Sequence, residues 1–141
     1  MTWTNPRTNW ACRYDETGRY TGDYFNVEDY QRIKGNLEYL AALAAGLYTE
    51  APVLPDIPTV TKAAFAKAST INALERSLDA LAAHVYDPGI PARKTWSAGD
   101  AAPTADDLNR IEGAVLSLYQ SLTAQAENRP NLAFNLGGGT F

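Results

Sequence analysis

A twelve-residue pattern that occurs three times constrains this chain more than any other feature. Residues 29–40 read DYQRIKGNLEYL, residues 70–81 read TINALERSLDAL, and residues 107–118 read DLNRIEGAVLSL. Laid over one another without gaps, they align Tyr30 with Ile71 and Leu108, and Ile33 with Leu74 and Ile111. The next matches are Leu37, Leu78 and Val115, then Leu40, Leu81 and Leu118. Spacings of three, four and three place these positions on one face of an α-helix. An amide follows the first apolar position each time: Gln31, Asn72 and Asn109. A single stripe cannot be buried alone, so such units must pack on one another.

The expected fold is all-α. Three amphipathic helices built from a degenerate repeat should span about 27–48, 62–85 and 104–127. Asn26 is placed to cap the first, with Glu28 and Asp29 in the first turn, and Thr104 with Asp107 resembles a capping box for the third. Residues 50–60 hold three prolines, which lack a backbone donor, and read as an extended connector. Tyr86-Asp-Pro-Gly-Ile-Pro ends the second helix. Long connectors permit an intrachain bundle or pairing with symmetry mates; two heptads are short for a free coiled coil, which favours the bundle.

Outside residues 26–127, the helical domain, lie two segments of different character. Residues 1–25 show turn formers and aromatics without helical period and are expected to be an extended aromatic arm. In residues 128–141 the apolar residues Leu132, Phe134 and Leu136 alternate as in a strand, followed by Gly137–Gly139 and Phe141. A lone strand needs an edge to join, so this segment reads as an extended docking tail. Tyr20-Thr-Gly-Asp before the first helix matches Trp96-Ser-Ala-Gly-Asp before the third, given one inserted residue. Arg32 and Arg110 also coincide in the repeat, as do Gly35 and Gly113. A helical glycine costs about 1 kcal/mol relative to alanine, so its recurrence implies close approach by a neighbouring backbone or ring. Asn72 and Asn109 are expected to bond local backbone or a facing loop.

The chemistry this sequence can support is narrow. A net charge of −4 argues against nucleic acid as a partner, because phosphate binding draws on Lys and Arg. One cysteine, Cys12, excludes a disulfide framework or a multi-cysteine metal site. His84 is the single histidine and sits where a helix C-terminus would favour it, a simpler role than catalysis. Glu28-Asp29 and Asp106-Asp107 are explained by helix starts, and Asp15-Glu16 by a solvated turn. No apolar run approaches the roughly 20 residues of a membrane span, and MTWTNPRTNW lacks a signal peptide's basic start and apolar centre. The expectation is a soluble non-enzyme without cofactor or metal, made in a cytoplasm. Eight Tyr, three Trp and four Phe suggest interfaces instead, where amphipathic rings are favoured.

The segment TWTNPRTNW with DYFNVEDYQRIKGNLEYL, and its second version TWSAGDAAPTADDLNRIEGAV, resembles small structural proteins of tailed bacteriophages and prophages. The shared theme is a Trp, a Gly-Asp turn, then Thr-Ala-x-x-Leu-Asn opening a helix. Trp96, Gly99, Asp100, Thr104, Ala105, Leu108 and Asn109 match it, whereas the first copy has Asn26-Val27 and Tyr30-Gln31 instead. The resemblance implies a virion component of the tail, baseplate or fibre attachment, made in the bacterial host. Its partners would be copies of itself and other phage structural proteins. A glycan-binding module for the host surface, using exposed Trp and Tyr, is one alternative, and a head-associated connector or capsid fibre is another. Interface residues are expected at Trp3, Trp10, Tyr20, Phe25, Trp96, Leu132, Phe134, Leu136 and Phe141.

Overall fold

Three helices, α1 (Val27–Ala45), α2 (Ala68–Ala82) and α3 (Ala105–Gly137), carry the repeated stripe. The computed structural model describes residues 3–47, 52–59, 67–83, 90–100 and 103–137, with the backbone alone for 128–137. All twelve aligned stripe positions are buried, from Tyr30, Leu37 and Leu40 at 0% exposure to Leu108 and Leu78 at 3%. Burial of each such side chain contributes roughly 1.5–3 kcal/mol, and the stripes therefore decide the fold. Every helix packs on both others, so the bundle forms within one chain. Among the described residues there is no strand, only an isolated bridge between Tyr14 and Tyr20.

The helix starts follow from local chemistry. The Asp29 carboxylate accepts the Asn26 N–H at 2.8 Å at the head of α1. At the head of α3 the Thr104 N–H donates to Asp107 (2.9 Å), and the Asp107 N–H returns to the Thr104 hydroxyl (3.2 Å). These are reciprocal N-terminal caps. The expected early start of α2, near residue 62, and its end past His84 and Val85 lie outside the described residues.

The C-terminal expectation is corrected. The third helix does not stop near Glu127; α3 continues through Pro130 to Gly137, so residues 128–137 are helical rather than extended. Pro130 removes one backbone donor, but a helix still satisfies its other groups internally, whereas a strand here has no partner edge among the described residues. Residues 138–141, with Phe141, lie outside the description.

The helices run parallel. Arg32 of α1 grips Glu112 of α3, and seven residues further along both helices Tyr39 and Tyr119 meet with ring centroids 6.2 Å apart. At the same end, Glu75 of α2 is held by Arg110 of α3. Parallel neighbours oblige each connector to travel back along the bundle, roughly 28 Å for a helix of 19 residues. That is the physical reason for the long, proline-rich links. In residues 52–59 the prolines fall at every third position, and Val53, Asp56 and Thr59 are exposed while Ile57 is buried. A period of three is that of a polyproline II strap, which needs no internal hydrogen bonds. It is pinned where the Tyr30 hydroxyl donates to the Pro58 carbonyl at 2.7 Å.

Candidate functional site

The two other straps, residues 3–26 and 90–100, are each fastened to the bundle by a tryptophan. The Trp10 N–H donates to Asn109 Oδ1 at 2.8 Å, and Asn109 Nδ2 donates to the Trp10 carbonyl at 3.0 Å. The Trp10 indole N–H donates to Glu112 at 2.6 Å. Asn109 and Glu112 lie three residues apart, on one face of α3, so the helix presents them together. Around Trp96 the pattern recurs on α2. Its N–H donates to Asn72 (2.8 Å), Asn72 Nδ2 donates to its carbonyl (2.7 Å), and its indole N–H donates to Glu75.

Both glutamates are fully buried, and a buried carboxylate persists only when donors surround it. Glu112 receives Arg32 Nε and Nη2, both at 2.8 Å, and the Arg7 N–H at 3.0 Å. Glu75 receives Arg110 Nη1 at 2.5 Å and the Lys94 N–H at 3.1 Å. A cation covers each indole: Arg7 lies 4.3 Å from the Trp10 ring centroid and Lys94 lies 4.1 Å from that of Trp96. The residue after each tryptophan donates its N–H to the aspartate of the following Gly-Asp, Ala11 to Asp23 (2.9 Å) and Ser97 to Asp100 (2.7 Å). The hydrogen bonds that Arg32 donates to Glu112 raise the Arg32 pKa above its ordinary value despite partial burial.

These contacts correct the upstream alignment. The counterpart of Trp96 is Trp10, and Tyr20 belongs to an insertion of nine residues, 12–20, between tryptophan and Gly-Asp. The insertion is a projecting loop. Residues 12–19 are all exposed, its limbs pair through Thr21 N–H to the Arg13 carbonyl and Asp23 N–H to the Ala11 carbonyl, and Gly18 turns it at φ 84°. The Asp15 carboxylate accepts the Thr17 hydroxyl and the Thr17 and Arg19 N–H groups. The Thr17 hydroxyl bond is the main reason its pKa is lowered. Asp23 is lowered chiefly by the Ala11 N–H. Tyr14, Tyr20 and Tyr24 form an edge-to-face ladder, centroids 5.4 and 5.1 Å apart, with Tyr14 66% and Tyr24 64% exposed. A hydrogen bond with the Cys12 thiol raises the Tyr14 pKa, and burial raises that of Tyr20.

The remaining sequence-predicted positions divide as follows. Trp10 and Trp96, expected at an interface, are each 5% exposed, because their indole N–H groups are spent on buried glutamates. Trp3 is partly buried, stacked 3.9 Å from Tyr119, with Thr4 clamped by Asn36 through 3.0 and 2.7 Å bonds. Phe25 packs edge-on against Trp10 at 6.2 Å. Residues 132, 134 and 136 are on the α3 backbone, without a described side chain. Cys12 is exposed, and His84 lies outside the described residues. Gly35 and Gly113 do not mark a close approach: a Cβ at either would meet nothing within 4 Å. Sequence reasoning noticed the amides at 72 and 109 but missed Glu75 and Glu112, whose signal was the recurring Asn-x-x-Glu.

A cavity of about 600 Å³ opens beside the Trp96 clamp, lined by Lys67, Ile71, Asn72, Trp96, Ala98 and Asp100 among others. Among the described residues no group of three or more His, Cys, Asp or Glu could hold a metal ion, and no helix is long and apolar enough to cross a membrane. No protein-family model, curated protein or solved structure matches the chain.

Proposed function

We propose that this chain is a non-enzymatic structural protein of a tailed phage virion, assembling with copies of itself and other virion proteins in the tail, baseplate or fibre attachment. One observation carries the reading: the residues of the phage-like motif are consumed in holding a strap on a helix. Trp96 and Asp100 fix the strap, Thr104 caps α3, Leu108 enters the core, and Asn109 clamps the other strap. Their use is architectural, which suits a part repeated many times in a particle. Mass spectrometry of purified particles tests it: the chain should be present at a fixed ratio to other tail proteins, and absence from intact particles would reject the reading. A truncation after Arg129 should keep the bundle and lose incorporation.

A host-glycan module is the second reading, favoured by the exposure of Tyr14 and Tyr24 rather than by the buried tryptophans. Its test is cell-wall binding by the double substitution Tyr14→Ala, Tyr24→Ala. Undiminished binding counts against it.

A further inference from the structure

The two tryptophan clamps differ in what stands beside the indole. One residue before each helix cap holds the same place in the repeat: Phe25 precedes the Asn26 cap of α1, and Pro103 precedes the Thr104 cap of α3. Phe25 is partly buried against the core and meets the Trp10 ring edge-on, with centroids 6.2 Å apart. Pro103 has no aromatic ring to give, and the cavity of about 600 Å³ is bounded by Trp96 and Pro103 together. The two matched residues that pack on each other in the first clamp are therefore the two that wall the cavity in the second.

We propose that the Trp96 cavity is a binding site for a small, uncharged aromatic molecule, whose ring packs on Trp96 as the Phe25 ring packs on Trp10. The chain itself supplies the precedent, since the first copy of the clamp holds an aromatic ring against its tryptophan in the edge-to-face arrangement that such pairs prefer. Size separates the ligand from a bare ring. An apolar cavity of roughly 150 Å³ is enough for benzene. About 600 Å³ admits a ring with substituents, and lies within the roughly 300–1,000 Å³ of small-molecule sites. The lining limits what those substituents are. Ile71 and Trp96 give an apolar wall, while Ser69 and Ser97 carry hydroxyls that can both donate to and accept from a hydroxyl or amide group. Lys67 and Asp100 also line the cavity and are opposite in sign, so their charges offset and the site favours a neutral ligand over an aromatic acid or amine. Asn72 is committed on both sides of its amide to the Trp96 backbone, which fixes the wall in place before any ligand arrives.

Titration of the full chain in solution with para-hydroxybenzyl alcohol tests the site. Proton–nitrogen correlation NMR reads the indole N–H resonances of Trp3, Trp10 and Trp96 separately. In wild type the probe should shift the Trp96 resonance saturably and leave that of Trp10 in place. The ring-saturated analogue of the probe should bind about fivefold more weakly. Pro103→Phe gives the second clamp the ring that the first already has, and should weaken probe binding about tenfold or more. Phe25→Ala removes that ring from the first clamp, and should add a saturable shift at Trp10. A dispersed spectrum and unchanged helical circular dichroism show that each variant is folded. A wild type without a saturable Trp96 shift, a Pro103→Phe chain that binds like wild type, a saturated analogue that binds equally well, or a folded Phe25→Ala chain silent at Trp10 would overturn the proposal. None of these results bears on the virion role, which is read from purified particles, and absence from particles would leave this site standing.

Discussion

The Trp10 and Trp96 clamps use the same parts with different completeness. Around Trp10 every nitrogen of the guanidinium is engaged: Arg32 gives two bonds to Glu112 and a third, from Nη1 at 2.9 Å, to Asp29. Around Trp96 the corresponding Arg110 reaches Glu75, but its buried Nη2 has no hydrogen-bond partner among the described residues and only a loose ion pair with Asp107 at 3.9 Å. The capping chemistry accounts for the difference. Asp107 takes both the N–H and the hydroxyl of Thr104 on one oxygen, whereas the asparagine cap leaves Asp29 turned toward its arginine.

The comparison breaks first at the buried glutamates. Glu112→Ala should cost about 3–5 kcal/mol, because it strands Arg32 together with the Trp10 indole N–H. Glu75→Ala should cost less, having fewer donors to orphan. Urea denaturation measures both, and a larger loss at Glu75 would invert the ranking.

The matched glycines come next, and they are required for different reasons. A Cβ on Gly22 would lie 2.6 Å from the Ala11 carbonyl oxygen and 2.7 Å from the Arg13 nitrogen. Gly22→Ala should therefore cost about 1–3 kcal/mol through overpacking. Gly99 faces open space but holds φ at +90°, and Gly99→Ala should cost about 1–2 kcal/mol as backbone strain. An asparagine at 99, which tolerates positive φ, should recover part of that loss; at 22 it should recover none.

Arginine identity separates the clamps more finely. Arg32→Lys forfeits paired donors that a lysine cannot imitate, and thermal denaturation should place it at least about 1.5 kcal/mol below Arg110→Lys.

The smallest effect is on pH dependence. Asp15 and Asp23 of the Trp10 strap have pKa values depressed below the unfolded 3.8. What they add to stability is complete above 3.8 and disappears as pH falls through the depressed folded values. Carboxyl-carbon NMR titration should give both midpoints below 3.8; a midpoint at or above it would remove that contribution.

The stripe was legible because apolar burial at three-four spacing depends on residues close in sequence. The caps at Asn26 and Thr104 were legible for the same reason. The clamps were not. Asn109 and Trp10 stand far apart in the chain, and nothing local distinguishes an amide that will hold a distant backbone from one that will face water. The insertion hid the correspondence further, since Tyr20 beside Gly22-Asp23 imitates Trp96 beside Gly99-Asp100 at short range. The alternation of Leu132, Phe134 and Leu136 misled because apolar residues at every second position fit a strand only when an edge is there to receive it. The aromatic excess was read as an interface, yet two of its three tryptophans serve as internal pins.

One consequence of the parallel arrangement concerns the order of events on the ribosome. The site that grips Trp10 is made of Asn109 and Glu112, so the first strap to be synthesised waits until α3 has emerged. Until then Trp10 has no clamp, while Asn36 of α1 is already available to hold Thr4 and α1 and α2 already expose stripes to each other. Closure of the molecule is thus a late, long-range event, spanning 99 residues between Trp10 and Asn109. During that interval an N-terminal strap could dock equally on the α3 of a neighbouring nascent chain.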